Sequence, residues 1–154
     1  MSWLGKILGG SLGFVFGGPL GAILGATLGH HALDSGRSMS ADENRQTLFF
    51  LATFSMLGKL SKADGRVSSE EIRVVEQLMD RNLKLSSEAR KFAIDIFNQA
   101  KNSNDKFRDY AFQFYEEFRD SREALFQLID LLEYLQQLPH QKLFLFFLYL
   151  WFFL

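Results

Sequence analysis

Residues 62–71, Lys-Ala-Asp-Gly-Arg-Val-Ser-Ser-Glu-Glu, are the stretch whose residue types and spacing most suggest site chemistry. Asp64 falls in a turn between two expected helices, and Glu70 and Glu71 fall in the first turn of the second. Carboxylates converging there would hold a hard divalent cation through oxygen. Asp64 and Glu71 are the candidate metal pair, and a divalent cation is the one cofactor the sequence suggests. An EF-hand loop needs oxygen ligands at alternate positions, and only Asp64 meets that pattern. A structural reading competes with the metal: Asp64-Gly65 makes the turn, and Glu70 and Glu71 complement the positive end of a helix.

Other chemistry is thinner. Gly9-Gly10-Ser11-Leu12-Gly13 has the letters of a nucleophile elbow, but an elbow needs a preceding strand plus acid and histidine partners. It lies inside a glycine-rich run, so no catalytic residue is assigned and the chain is read as a non-enzyme. His30 and His31 stand at the polar edge of that run, and His140 is isolated. The absence of cysteine excludes disulfides, thiolate metal sites and cysteine nucleophiles. A net charge of −1 over 154 residues gives no electrostatic basis for nucleic-acid binding.

The elements that would position these residues have three different compositions. Residues 1–33 hold nine of the twelve glycines and a single charged side chain, Lys6. Residues 7–29 are free of charge over 23 positions, close to the ~20 needed to cross a bilayer as a helix. Gly5, Gly9, Gly13, Gly17, Gly21, Gly25 and Gly29 recur every four residues, forming one slowly drifting stripe on a helix. In lipid such a bare stripe lets a second helix approach closely, which predicts homodimerisation in contact with membrane lipid. Pro19 is expected to kink this span. Basic residues after the span weakly favour a cytoplasmic C-terminal side, with the membrane crossed once.

Residues 34–142 carry 34 of the 35 charged side chains and read as about five short helices. Ser40 with Glu43 and Ser68 with Glu71 form capping-box patterns. The first helix carries Leu48, Phe49, Leu51, Ala52, Met56 and Leu60, with Gly58 as its weak point. The second places Ile72, Val75, Leu78 and Met79 at helical spacing. Ser86 or Ser87 opens a third, which breaks at residues 102–105. A fourth holds Tyr110, Phe112, Phe114, Tyr115 and Phe118 over more than one face, with core packing as the default role. Ser121 opens a fifth, ending before Pro139. The last twelve residues are apolar throughout apart from a tyrosine hydroxyl and too few to span a bilayer; they read either as an aggregation-prone or membrane-seeking tail or as the aberrant end of a truncated or frame-shifted chain.

The opening Met-Ser-Trp-Leu-Gly-Lys-Ile-Leu-Gly-Gly, the run Gly17-Gly18-Pro19-Leu20-Gly21-Ala22 and Leu28-Gly29-His30 resemble the membrane anchor of DjlA-type DnaJ-like co-chaperones. Phe49-Phe50, Gly58-Lys59-Leu60-Ser61-Lys62-Ala63-Asp64-Gly65 and Leu78-Met79-Asp80-Arg81 resemble the TerB-like helical domain that follows it. The resemblance implies an all-α chain with a glycine-rich transmembrane helix ahead of a TerB-like bundle, at the bacterial inner membrane. Expected boundaries are an anchor at 1–33, a linker at 34–41, an incomplete TerB-like domain at 42–138 and the tail at 139–154. The family engages a DnaK-type chaperone through the His-Pro-Asp of a J domain, a tripeptide these 154 residues lack. After Leu128-Ile129-Asp130 the second acidic turn of the family is also missing, leaving Asp64 and Glu71 as half a site. The expected function is that of a binding and self-associating module. The rival is a metal-binding stress-response protein of the tellurite-resistance kind.

Overall fold

The computed structural model describes residues 17–30, 40–62 and 69–134, all of them in helices or short connections. The helices are α1 (Gly18–His30), α2 (Ala41–Ser61), α3 (Ser69–Gln77), α4 (Ser87–Asn102), α5 (Phe107–Phe118) and α6 (Arg122–Tyr134). Starts and stops follow local chemistry. Ser86 Oγ accepts the Ala89 amide and caps α4, and Ser121 Oγ does the same for Ala124 at the head of α6. The Lys106 amide at the head of α5 donates to Asp109 Oδ2 at 2.8 Å. All three helices therefore begin within a residue or two of where the polar signals put them.

The centre of the bundle is α2. Leu48, Phe50, Leu51, Ala52, Phe54, Met56 and Leu57 are buried on it, together with Thr47, Thr53 and Ser55. A helix covered on nearly all sides must have neighbours on nearly all sides. Thr53 meets the cost of burial by donating its hydroxyl to the Phe49 carbonyl at 2.8 Å. Most of the contact to α2 comes from α4, which contributes the buried Ala89, Phe92, Ala93, Ile96 and Ala100. A methyl group on Gly58 would collide with the carbonyl oxygen of Phe97 and stand 3.2 Å from the Lys101 nitrogen. Gly58 is therefore not a weak point of α2 but the place where α2 and α4 touch backbone to backbone.

Two further expectations change. The apolar side chains at 72, 75, 78 and 79 do not form one buried face: Val74, Leu78 and Met79 are buried and Ile72 is 50% exposed. Val74 and Leu78 are one helical turn apart and face the core, whereas Ile72 lies about 200° around the helix from Val74; beyond them a π-helical turn over Leu78–Asn82 lets the Leu83 amide bond the Leu78 carbonyl. In the N-terminal segment the chain is not helical at Gly17, and α1 begins at Gly18, whose φ of +68° suits a residue without Cβ. Pro19 thus sits in the first turn of a helix, where its missing N–H costs nothing, and not at a mid-span kink. Gly5, Gly9 and Gly13 lie outside the described residues.

α1 packs on α4, α2 and α5. Leu20, Ile23, Leu24 and Thr27, at steps of three and four, are buried against them. Thr27 turns its hydroxyl onto the Ile23 carbonyl at 2.8 Å. Among the described residues no helix is long and apolar enough to cross a membrane.

Candidate functional site

Three features of the bundle bear on function, and each is built from residues of different helices. The first is the seat of α1. Gln113 on α5 reaches the head of α1 with both ends of its amide: Nε2 donates to the Gly17 carbonyl at 2.6 Å, and Oε1 accepts from the Leu20 amide at 2.9 Å. It thereby satisfies one of the amides a helix start leaves without a partner. With the large side chains turned inward, Ala22, Gly25 and Ala26 are left exposed on the outer face of α1, Gly17 is exposed just ahead of it, and Gly21 is half-buried. A methyl on Gly17 or Gly25 would meet nothing within 4 Å. Among the described residues, no contact therefore requires glycine at these two positions.

The second feature locks the α4–α5 corner to the end of α2. Lys59 Nζ donates to the Ser103 carbonyl at 2.7 Å and lies 6.0 Å from the centre of the Tyr110 ring. The Tyr110 hydroxyl lies 2.8 Å from Ser103 Oγ and 3.2 Å from Asp105 Oδ2. Tyr110 is fully buried. Burial pushes its phenol up to about 12; the Ser103 hydrogen bond opposes that shift and the Asp105 carboxylate adds to it. Burial also lowers the Lys59 ammonium, against the pull of Asp105.

The third is an apolar groove of about 400 Å³ between α2, the segment before α4, and α6. Phe49, Phe50, Phe54, Leu83, Leu85 and Leu131 line it, and Arg45, Gln46 and Glu123 stand at its rim. The wall is packed from behind: Phe49 meets Phe114 and Phe118 edge-on at 5.8 and 6.0 Å. The Arg45 guanidinium lies 5.2 Å from the centre of the Phe118 ring. Of the fourth helix's aromatics, Tyr110, Phe114 and Phe118 are core and Phe112 is half exposed.

The candidate metal pair is not brought into view. Asp64 lies outside the described residues, and of Glu71 only the backbone position in the first turn of α3 is described. His31 and His140 also fall outside them. Among the described residues no three His, Cys, Asp or Glu side chains cluster as metal ligands. The Gln113 clamp and the Ser103–Tyr110–Asp105 lock have no signature in sequence, because each joins residues whose proximity only the tertiary fold creates.

Residues 50–135 match the family model described as "Tellurite resistance protein TerB". The chain belongs to the TerB family. Ahead of the TerB domain, residues 1–40 match the "Co-chaperone DjlA transmembrane domain". The relatives agree with that pairing. The chain is 35% identical over 114 residues to the co-chaperone protein DjlA of Coxiella burnetii, covering 68% of this chain and 42% of the relative. It is 35% identical over 107 residues to that of Pectobacterium atrosepticum, covering 66% and 36%. It is 33% identical over 149 residues to that of Escherichia coli K12, covering 94% and 52%. The chain thus spans between about a third and a half of the length of these relatives. No solved structure matches it. The anchor match and the DjlA relatives together indicate a location at the inner membrane.

The tyrosine lock makes a pH-dependent prediction. The folded pKa of Tyr110 lies above the unfolded value of 10.0, so its contribution to stability is fully present below pH 10 and is lost as pH rises towards 12. In an ultraviolet titration of the folded chain, the phenol ionising near 12 should disappear in Tyr110→Phe. Loss of the hydroxyl's hydrogen bonds should cost about 1 kcal/mol at neutral pH. If the phenol lost in Tyr110→Phe is one ionising near 10 and not near 12, the lock is ruled out.

Proposed function

We propose that this chain is a membrane-anchored TerB module of a DnaJ-type co-chaperone, acting by binding and self-association and not by catalysis. The observation that carries the reading is the tandem of a DjlA transmembrane domain over 1–40 and a TerB domain over 50–135. The outward face of α1 supports it: Ala22, Gly25 and Ala26 offer a second helix a surface without bulk. The partners are then membrane lipid and a second copy of the chain, meeting along the Gly5 to Gly29 stripe. The anchor, 1–33, crosses the inner membrane once, and a short linker, 34–41, leads to the helical domain at 42–138 on the cytoplasmic side. Residues 139–154 add an apolar tail. Contact with a DnaK-type chaperone belongs to a J domain, and these 154 residues hold no His-Pro-Asp.

The two exposed glycines give a clean test, since a Cβ at either meets nothing within 4 Å among the described residues. Gly17→Leu combined with Gly25→Leu should lower the dimer fraction of the full chain in lipid vesicles about tenfold, read by chemical cross-linking. The helix content should be unchanged. An unaltered dimer fraction would end the self-association reading.

The TerB family description favours a second reading, a metal-responsive stress protein in which Asp64 and Glu71 help hold a divalent cation. Calorimetric titration of the full chain with calcium and with zinc separates the two. A binding heat abolished by Asp64→Asn supports the metal, and absence of any heat removes it.

A further inference from the structure

The seat of α1 and the span of a bilayer make competing demands on the same residues. The charge-free run begins after Lys6, and its last twelve positions lie within α1. Residues 7–17, the part of the run left over when α1 is seated, would reach only about 16 Å as a helix, half the ~30 Å of a hydrocarbon core. Crossing the membrane therefore requires the residues of α1. Seated on the bundle, however, those residues bury Leu20, Ile23 and Leu24 against protein. The Gly17 carbonyl and the Leu20 amide are then held by Gln113.

We propose that Gly18–His30 is a two-position helix, seated on the TerB bundle through Gln113 or inserted in the bilayer, and never both at once. Both environments suit it. Leu20, Ile23 and Leu24 lose water in either place, and α1 carries no charged side chain to oppose insertion. What distinguishes the two is polar: only the seat offers the Gln113 amide. Gln113 is a positioning residue whose hydrogen bonds bias the choice, so the bilayer-crossing form leaves one face of α2, α4 and α5 uncovered. The inference needs the membrane location alone and stands or falls separately from self-association.

Ala26 is exposed on the seated helix and would face lipid on the inserted one. The chain has no cysteine, so Ala26→Cys gives a single attachment point for a bimane fluorophore. The full chain is placed in phosphatidylethanolamine–phosphatidylglycerol vesicles, and quenching by a mid-chain nitroxide lipid is compared with quenching by aqueous iodide. Gln113→Ala should raise the inserted-to-seated ratio about tenfold, the effect of losing one or two hydrogen bonds. Gly18→Ala keeps the glutamine but puts a methyl 2.9 Å from Gln113 Oε1 at a positive φ, and should shift the ratio the same way. Circular dichroism of the same samples checks that both variants keep their helices. Equal lipid quenching in all three chains overturns the proposal: if high, α1 never uses the seat, and if low, it never leaves.

Discussion

At Gly58 the backbone of α2 comes so near the Phe97 carbonyl oxygen that no side chain fits between the two helices. The rest of the bundle is arranged around that contact. Helices joined by side chains alone usually lie 8–10 Å apart, and removing one side chain lets them come closer. Close approach brings the end of α2 against the end of α4, so that Lys59 reaches the Ser103 carbonyl and Tyr110 closes on Ser103 and Asp105. The same approach lets α2 bury residues on almost every side, with α4, α5 and α1 as its neighbours. Dispersion contacts fall off steeply with distance, so an added gap at this crossing would weaken many of them together.

Glycine serves two opposite purposes in this chain. At Gly58 it removes a side chain so that two parts of the same molecule can touch. At Gly17, just ahead of α1, and at Gly25 on its outer face, it removes one from a surface that none of the described residues covers. The two kinds are alike in sequence and differ only in what surrounds them. That difference supports a division of labour: Gly58 builds the TerB bundle, and the outer glycines are free to serve an interaction beyond it.

Much of the bundle was legible in the sequence because its signals are local. Ser86, Ser121 and the break after Asn102 act on the backbone within three residues, so the starts of α4 and α6 and the end of α4 could be read directly. The tandem of glycine-rich anchor and Ala63-Asp64-Gly65 segment pointed to the right family for the same reason. What escaped was set by tertiary contact. Ile72 looks like a core residue by spacing, yet the neighbouring helices cover the face that carries Val74 and Leu78 and leave Ile72 half exposed. Pro19 looks like a kink in a long span until Gly18 at φ +68° and the Gln113 clamp make it the start of a helix. Gln113 itself bridges residues more than ninety positions apart, a distance no periodicity reports.

The most direct measurement is a pair of matched substitutions, Gly58→Ala and Gly25→Ala, each adding one methyl to a helical glycine of the full chain in detergent, followed by urea unfolding. Helix propensity alone favours both by up to about 1 kcal/mol. The close contact at Gly58 should reverse that sign, costing about 1–3 kcal/mol as α2 and α4 are forced apart. Gly25→Ala should leave stability equal or raised. Equal unfolding midpoints for the two variants, both at or above that of the unaltered chain, would contradict the central place given to the α2–α4 contact.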